Sequence, residues 1–467
     1  MRYVSTRGRA PVLDFAEVTL AGLADDGGLY LPEAWPSLPV DDIRALAGLP
    51  YAEVATRIME PFVGASLSPQ RLGELCEEAY GRFAHVAVTP LTQLDERHWL
   101  LELFHGPTLA FKDVALQLLG LLFDEFLERE DSRLTVVGAT SGDTGSAAID
   151  ALAGRERVEI FMLHPAGRIS DVQRVQMTTV LAPNVHNIAV KDASFDDAQA
   201  MVKRLFADPQ VAARHRLGAV NSINWARLMA QVVYYFVAAL QLGAPERKIG
   251  FSVPTGNFGD VFAGYVAAKM GLPIQRLLVA TNVNDILHRA LTSGDYSATE
   301  VEATAAPSMD IQVSSNFERL LFDLGGRDGP ALAAQMTGFE ASKAMRLTQD
   351  QFESAQDLFA SGRADAAGMA ATMRWAWEKC GCEVVDPHTA IGLHAARAAQ
   401  WPEGVPVVTL ATAHPAKFRD AVERATGFRP GLPARVGDLF GREERCTQLP
   451  NDYEAVRGYI LDTATPR

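Results

Sequence analysis

The stretch Leu134-Thr-Val-Val-Gly-Ala-Thr-Ser-Gly-Asp-Thr-Gly145 joins an apolar run to a turn rich in glycine. The run Leu134–Ala139 predicts a buried β-strand, and a helical pattern follows the turn. A second unit has the same order, with the apolar run Ile249–Val253, the turn Pro254-Thr-Gly-Asn-Phe-Gly259 and a helical pattern after it. Strand–turn–helix units of this kind are typical of a parallel sheet covered by helices. The sequence therefore predicts an α/β protein.

The remainder of the chain divides into regions of different pattern. We predict a mostly helical N-terminal segment (1–89) that packs on a large domain, a smaller α/β domain (90–219) and the larger α/β domain itself (220–467). Further predicted strands are Val158–Leu163, Leu277–Thr281 and Pro406–Ala411, and predicted helices are Val114–Leu127, Asn224–Leu242 and Asp350–Phe359. The segment Ser293–Arg327 has weak periodicity and is predicted to be a partly irregular connection.

Length and composition exclude several classes of protein. The 467 residues are 48% hydrophobic and 21% charged, which excludes a disordered or collagen-like chain. The net charge of −14 repels a polyphosphate backbone, so we expect no nucleic-acid partner. No apolar stretch is long enough to span a bilayer, and four cysteines are too few for a disulfide framework, so we expect a cytoplasmic protein without a membrane partner. Cys380-Gly-Cys382 lacks a second pair of ligands, so we expect no metal site.

Both glycine-rich turns are candidate anion sites. The first N–H groups of a helix lack intrahelical acceptors, and the helix dipole adds partial positive charge at that end. Neither turn has the Lys-Ser/Thr of a P-loop or the G-x-G-x-x-G spacing of a dinucleotide-binding fold. The structural alternative for each turn is a tight connection that needs glycine only for its positive φ.

The stretch Phe104-His-Gly-Pro-Thr-Leu-Ala-Phe-Lys-Asp113 places a lysine at the start of a predicted helix. The helix dipole disfavours a cation there, and Ala110 and Phe111 indicate that Lys112 faces an apolar cleft. Removal of an ammonium group from water lowers its pKa and makes the free amine nucleophilic. For Lys112 alone, a solvated surface position is the alternative. A nucleophilic lysine with two anion sites is the combination that pyridoxal 5'-phosphate (PLP) and an amino-acid substrate require.

Nine blocks spread over nearly the whole chain carry a family resemblance. They are Tyr3–Gly8, Asp26–Pro32, Phe104–Asp113, Gly138–Ser146, His164–Arg168, Asn221–Arg227, Pro254–Asp260, Ser308–Asp310 with Ser314–Phe317, and Ala411–Lys417. In this order they resemble the threonine synthase family of PLP-dependent enzymes. The resemblance implies the tryptophan-synthase-β-like fold (PLP fold type II), with two open sheets of parallel type flanked by helices, and PLP as the cofactor.

The resemblance also implies site residues. Lys112 forms the Schiff base with PLP, Asp143 lies near the phenolic oxygen of PLP, and Thr412 bonds the pyridine nitrogen. The cofactor phosphate is assigned to the backbone of Gly256, Asn257, Phe258 and Gly259, and the substrate carboxylate to Thr140, Ser141, Gly142 and Thr144. Many members of the wider fold have Asn at the position of Asp143. An anion beside the phenolate of PLP requires a shared proton. The alternative role for Asp143 is that of N-cap of the following helix. His414 and Lys417 are predicted to be structural or to line the pocket.

The stretch Asn221-Ser-Ile-Asn-Trp-Ala-Arg227 is the candidate site for a substrate phosphate. Asn221, Ser222 and Arg227 stand just before and within the first turn of a predicted helix, where N–H groups and a guanidinium group can bind a dianion. The family resemblance implies the same role. The alternative is a helix N-cap followed by a surface arginine.

The resemblance implies a lyase that converts O-phospho-L-homoserine and water into L-threonine and phosphate, acting as a monomer or homodimer, with Lys112 as the mobile acid and base. A threonine or serine dehydratase on the same scaffold is the nearest alternative, because it needs no site for a substrate phosphate. A catalytically silent paralogue that serves as an interaction module is an alternative from another class. The presence of Lys112 and both glycine turns argues against it.

Overall fold

Two main sheets hold most of the strands of the protein. In the computed structural model, which describes residues 1–466, the strands are β1 (Tyr3–Ser5), β2 (Tyr30–Pro32), β3 (Leu91–Gln93), β4 (His98–Glu102), β5 (Leu134–Ala139), β6 (Val158–Pro165), β7 (Val185–Val190), β8 (Leu217–Gly218), β9 (Ile249–Pro254), β10 (Ile274–Thr281), β11 (Phe359–Arg363), β12 (Val407–Ala411) and β13 (Thr447–Leu449). The larger sheet has the order β11-β10-β9-β12-β4-β3, parallel except for the pair β3–β4. The smaller sheet has the order β13-β7-β6-β5-β8 and is parallel throughout. Strands β1 and β2 form a separate antiparallel pair.

Helices connect the parallel strands and build the N-terminal segment. They are α1 (Phe15–Ala21), α2 (Val40–Ala45), α3 (Tyr51–Val63), α4 (Pro69–Tyr80), α5 (Lys112–Arg129), α6 (Asp143–Leu152), α7 (Asp171–Thr178), α8 (Phe195–Ala207), α9 (Pro209–Arg214), α10 (Trp225–Gln241), α11 (Gly259–Lys269), α12 (Ile286–Ser293), α13 (Phe317–Leu324), α14 (Gly329–Ser342), α15 (Gln349–Gln356), α16 (Ala366–Lys379), α17 (Pro387–Ala398), α18 (Arg419–Thr426) and α19 (Tyr453–Thr463). Short 3₁₀ helices lie at Gly64–Ser66, Pro307–Met309, Pro415–Phe418, Ala434–Val436 and Leu439–Gly441. Within residues 1–466, no helix combines the length and the apolar composition that crossing a bilayer requires.

The two strand–turn–helix units that predict the fold class are both present. The first is β5 followed by α6, and the second is β9 followed by α11. Each strand has parallel neighbours on both sides, which explains why both read as continuous apolar runs. The predicted α/β class is confirmed, and the three further predicted strands lie in β6, β10 and β12.

One helix ends earlier than its sequence pattern predicts. The helix predicted over Asp350–Phe359 ends at Gln356, and Phe359 begins β11. Phe359 is buried and stands opposite Leu277 of β10. The predicted end of this helix is wrong because a distant ladder partner, which local periodicity does not reveal, decides the conformation of Phe359.

Two segments cross the ranges predicted for the α/β domains. Strands β3 and β4 fall within 90–219, yet they join the larger sheet, where β4 pairs with β12. Strand β13 falls within 220–467, yet it pairs with β7 of the smaller sheet. Helix α19 then packs its buried Val456 and Ile460 into the core of that sheet. Sheet membership therefore follows long-range pairing and apolar contact, whereas the predicted ranges divide the chain by sequence order.

The N-terminal segment is anchored to helices of both halves of the protein. Helix α3 packs on α10, and α4 packs on α5. The hydroxyl of Tyr3 donates to the carbonyl of Phe62 at 2.8 Å, and the buried ring of Tyr3 lies 5.8 Å from that of Trp225. Burial of aromatic surface of this size makes the segment part of the main hydrophobic core.

Helix α5 connects the two sheets and begins at the candidate lysine. The chain leaves β4 of the larger sheet, enters α5 at Lys112 and continues into β5 of the smaller sheet. The residues before α5 run beside the end of β12, where Ala110 forms a bridge to Ala413 and the Phe111 N–H donates to Thr412 O at 2.8 Å. This contact brings the carboxyl end of a sheet strand next to the start of α5.

Candidate active site

The amine of Lys112 is buried at the start of α5. The residue is 8% exposed, which agrees with the apolar environment that Ala110 and Phe111 predict and excludes a solvated surface position. Its Nζ atom lies 3.6 Å from Oδ2 of Asp143. Burial lowers the pKa of Lys112, the charge of Asp143 opposes this change, and the cations Lys417 and Arg227 add to it. The site thus favours a free amine more than water does.

Asp143 is held between two lysines. Its Oδ1 atom accepts from Nζ of Lys417 at 2.8 Å and from Nε2 of Gln173 at 2.8 Å, while Oδ2 faces Lys112. Burial alone would raise the pKa of Asp143, but the ammonium groups of Lys417 and Lys112 and the hydrogen bond from Gln173 hold it far below its usual range. In the structure, Asp143 is a carboxylate that is paired with the buried cation of Lys417.

The turn before α6 is capped by Thr140 instead of Asp143. Its hydroxyl oxygen accepts from the N–H groups of Gly142 at 2.9 Å and Gly145 at 2.8 Å, so the N-cap alternative for Asp143 is not what the structure shows. Gly142 has φ of +133°, and a Cβ atom there would overlap the side chain of Gln173. Ser141 and Thr144 are half-buried and flank this turn. The turn thus presents small polar groups close to Asp143.

The turn before α11 is braced from behind by the segment 314–316. The carbonyl of Gly256 accepts from Oγ of Ser314 at 2.7 Å, and the carbonyl of Asn257 accepts from Nδ2 of Asn316 at 3.0 Å. Phe258 is buried with φ of +63°, and Gly259 begins the helix. Because the first N–H groups of α11 have no acceptor within the helix, the braced turn is a ready anion site.

Asp260 follows this turn and points into the protein interior. The hydroxyl of Tyr234 and, at 3.2 Å, that of Tyr235 donate to its Oδ1 atom. Its Oδ2 atom is buried and has no hydrogen-bond partner within residues 1–466. Burial raises the pKa of Asp260 to about 7, partly opposed by these two hydroxyls and by the charge of Lys112.

Arg227 is buried in the first turn of α10. It is 3% exposed, its Nη1 atom donates to Val220 O at 2.9 Å, and its Nε atom is buried without a partner in the described part of the chain. Burial lowers its pKa to about 10. The alternative of a surface arginine is wrong, because this side chain is buried and its charge helps to lower the pKa of Lys112.

The polar residues before Arg227 have distinct structural tasks. Asn224, which the sequence analysis leaves unassigned, is the helix N-cap, and its Oδ1 atom accepts from Ala226 N–H at 3.0 Å. Asn221 is exposed, and its side chain closes a local turn by accepting from Ile223 N–H at 3.2 Å. Ser222 is half-buried, and its carbonyl accepts from Asn316 Nδ2 at 3.1 Å.

Thr412 directly follows β12 and lies beside the start of α5. It is 6% exposed, its N–H donates to Oγ1 of Thr389 at 3.3 Å, and its carbonyl accepts from Phe111 N–H at 2.8 Å. The backbone of Thr412 is therefore fixed by bonds on both sides. His414 and Lys417, which follow Thr412 in the sequence, have different roles: Nδ1 of His414 accepts from Ala416 N–H at 3.1 Å, whereas Lys417 donates to Asp143.

Lys417 and Gln173 are the partners of Asp143 that sequence reasoning misses. Lys417 is quoted within a family block but predicted only to be structural or pocket-lining, and Gln173 lies outside every block. Both approach Asp143 from elements far away in the chain, α7 and the 3₁₀ helix after β12. No local spacing rule connects them, so only their shared environment in the fold reveals the cluster.

The residues present fit PLP. They supply a buried amine for a covalent link, a braced helix N-terminus for a phosphate group, and a threonine hydroxyl at the end of β12 for a ring nitrogen. The buried Nε of Arg227 is a polar atom without a partner in the described chain, as expected of a group that faces a ligand.

Comparisons with known proteins agree over the full length of the chain. Family models match in three segments: Threonine synthase N terminus over residues 2–80, Pyridoxal-phosphate dependent enzyme over 83–371 and Threonine synthase, C-terminal over 389–460. The threonine synthase of Pseudomonas aeruginosa is 54% identical over 461 residues, which cover 98% of both chains. That of Saccharomyces cerevisiae is 43% identical over 463 residues, covering 91% of this chain and 89% of the relative.

Solved structures give the same picture. The PLP-bound threonine synthase of Brucella melitensis superposes with a TM-score of 0.96 at 51% identity and covers 99% of both chains. Yeast threonine synthase superposes with a TM-score of 0.94 at 39% identity, covering 99% of this chain and 98% of the other. The fold-type II architecture implied by the sequence resemblance is confirmed.

Proposed function

The chain belongs to the threonine synthase family, and from this premise we propose that it converts O-phospho-L-homoserine and water into L-threonine and inorganic phosphate. It is a PLP-dependent lyase of that family. The observation that carries the proposed substrate is Arg227, a buried guanidinium group with an unpartnered Nε atom near the candidate cofactor lysine. A second phosphate group is what such a cation can bind in a site that already holds PLP.

The cofactor is assigned to four groups of this chain. Lys112 forms the covalent link, the N–H groups of residues 256–259 bind the cofactor phosphate, and the hydroxyl of Thr412 bonds the ring nitrogen. A neutral hydroxyl leaves that nitrogen largely unprotonated. Asp143 lies near the phenolic oxygen. When bound, PLP supplies an electron-accepting ring that stabilises negative charge at the substrate carbons.

The substrate is assigned to two anion sites. Thr140, Ser141, Gly142 and Thr144 bind the carboxylate with the N–H and hydroxyl groups of the turn before α6. Arg227, with Asn221 and Ser222, binds the phosphate, and Asn257 lies in the neighbouring turn. Because only Arg227 is charged and buried among the phosphate residues, it supplies most of the specificity for a dianion.

Lys112 moves the protons of the reaction. Its amine removes the Cα proton and helps to shift a Cβ proton, so the phosphate group can leave from Cγ. Cγ then takes up a proton, the oxygen of water bonds to Cβ as its second proton passes to a base of the site, and Lys112 returns a proton to Cα. Burial lowers the pKa of Lys112, which favours the free amine that can accept a proton.

The rival dehydratase activity predicts different products. Purified protein with PLP and O-phospho-L-homoserine is expected to release phosphate and threonine in equal amounts, whereas a dehydratase would form 2-oxo acids from threonine or serine. Lys112→Ala is expected to abolish both phosphate release and the visible absorbance of the bound cofactor. Lys203→Ala, at an exposed position on α8, is the matched control and should behave as wild type. Oxo-acid formation without threonine would contradict the proposal, and a protein without either activity would support the silent paralogue.

The cellular compartment and the oligomeric state of the enzyme are part of the same proposal. The cysteines at 76, 380, 382 and 446 are free thiols, which supports a reducing compartment such as the cytoplasm. We also propose that the enzyme acts as a monomer or a homodimer.

A further inference from the structure

Lys417 is a fully buried cation beside the candidate active site. Its side chain has no exposed area, and it lies in the 3₁₀ helix Pro415–Phe418 that follows β12. Its Nζ atom donates to Asp143 Oδ1 at 2.8 Å and to Thr108 O at 2.9 Å. An ammonium group is retained in such a position only if an anion compensates its loss of hydration, and Asp143 is the anion in contact with it.

The two lysines do not share Asp143 equally. Lys417 and Gln173 both bind Oδ1 at 2.8 Å, whereas Nζ of Lys112 stays 3.6 Å from Oδ2, beyond the usual length of a hydrogen bond. If Lys417 were absent, Asp143 and Lys112 would form a buried one-to-one ion pair. Such a pair would hold Lys112 as an ammonium ion, which is not a nucleophile.

We propose that Lys417 is a positioning residue that compensates the charge of Asp143 and thereby keeps the amine of Lys112 available for its covalent link. The amine must lose a proton before its nitrogen bonds to the aldehyde carbon of PLP, with release of water. Lys417 serves this step without contact with the reacting atoms. The inference rests on the proposed role of Lys112, which the Lys112→Ala variant tests separately.

Other charged groups around the cluster do not provide the same compensation. The groups that face Lys112, Asp143 or Lys417 from the packed elements are Arg227 on α10, Asp260 on α11 and Asp113 on α5. Asp113 accepts from the N–H and hydroxyl of Thr108, and Asp260 is tied to the hydroxyls of Tyr234 and Tyr235. Arg227 donates to Val220 O. Lys417 is thus the cation that binds Asp143 at hydrogen-bond distance.

A double-mutant cycle with Asp143→Asn and Lys417→Met tests the proposal. The readouts are the Kd of PLP by absorbance titration, its pH profile, and the thermal midpoint of the PLP-free protein. We expect Lys417→Met alone to weaken PLP binding about tenfold or more at neutral pH and to move the pH midpoint of binding upwards by about 1 or more. In the Asp143→Asn background, the same substitution should change the Kd less than about threefold.

Each outcome decides between charge compensation and packing. Equal loss of PLP affinity in both backgrounds, or no loss in either, overturns the proposal, because a packing role does not depend on Asp143. If Lys417→Met fails to fold, the double variant should still fold and bind PLP, since neither charge is left unpaired. Failure of both variants to fold also overturns the proposal. Lys269→Met, at an exposed position on α11, controls for loss of a lysine.

Discussion

Replacement of Arg227 by methionine should weaken substrate binding without destabilising the PLP-free protein. Burial lowers the pKa of Arg227 from its ordinary value of 12.5 to about 10, so the folded state bears a cost of about 3 kcal/mol for keeping this charge at neutral pH. The hydrogen bond from Nη1 to Val220 O returns about 1.5–3 kcal/mol. The two contributions nearly cancel, and methionine keeps most of the apolar stem.

Arg319 is the matched control, because it is equally buried but fully bonded. It donates to Tyr30 O at 2.9 Å, to Ile223 O at 2.6 Å and to Oδ1 of Asn316. Arg319→Met would leave two buried acceptors, Tyr30 O and Asn316 Oδ1, and one partly buried acceptor, Ile223 O, without their donor, at about 1–3 kcal/mol each. We therefore expect this variant to lose several degrees in thermal midpoint, whereas Arg227→Met should remain close to wild type.

Two measurements separate a phosphate site from a structural arginine. Steady-state kinetics of the PLP-loaded enzyme should show KM for O-phospho-L-homoserine raised at least about tenfold in Arg227→Met, with a lower kcat, because loss of a charge-assisted bond costs about 1.5–3 kcal/mol. Inorganic phosphate at ten times its Kd should stabilise the wild-type holoenzyme by about 1.4 kcal/mol and the variant by much less. If Arg227→Met is as unstable as Arg319→Met and its kinetics and phosphate response are unchanged, Arg227 is structural.

Three further substitutions test other parts of the site. Thr412→Val keeps the shape of the side chain but removes its hydroxyl, and should cost about 1–3 kcal/mol in PLP affinity or in the barrier to turnover. An unchanged Kd of PLP and an unchanged kcat would show that another group bonds the ring nitrogen. Gly256→Ala places a Cβ atom against Ser308 O, so PLP should bind about tenfold more weakly. Gly338→Ala, in open space on α14, is the control and should leave the Kd of PLP unchanged. Equal affinities of the two variants would refute the assignment of residues 256–259 to the cofactor phosphate. Burial lowers the pKa of His414 to about 4, so the contribution of its neutral ring to stability is complete above pH 6.5 and is lost as the pH falls towards 4. His414→Asn should keep the hydrogen bond from Ala416 N–H and should lose less thermal midpoint than wild type between pH 7 and pH 4.5. An identical loss in the two proteins would contradict this assignment.

Local patterns predict those parts of the fold that local physics decides. The apolar runs at β5 and β9 and the glycine turns after them need only a buried strand and a tight turn, and both units are present. The end of α15 and the sheet membership of β4 and β13 depend on strand partners far away in the chain, because Phe359 pairs with Leu277, His98 with Val407 and Thr447 with Ile188. Periodicity carries no information about such pairings, so neither the helix end nor the sheet to which these strands belong could be read from it.

The same distinction applies to the site. Lys112 and the two turns could be identified because each combines its signal within a few residues. The environment of Asp143 could not be identified from the sequence, because Gln173 and Lys417 reach it from separate elements. The pKa of a carboxylate depends on such neighbours more than on the residues beside it in the sequence. The inward direction of Arg227 likewise follows from the turn that Asn224 caps.

The charge of the site differs in sign from the charge of the chain. The protein has a net charge of −14, yet the buried side chains of Lys417 and Arg227 are close enough to Lys112 to lower its pKa. Asp143 is the buried carboxylate with a depressed pKa there, since burial raises the pKa of Asp260 to about 7. When the amine of Lys112 becomes a covalent link, Lys417 still balances Asp143, and Arg227 remains uncompensated. We propose that this residual positive charge, together with the N–H groups of α11, lets an acidic protein hold the phosphate of the cofactor and the phosphate of the substrate in one cleft.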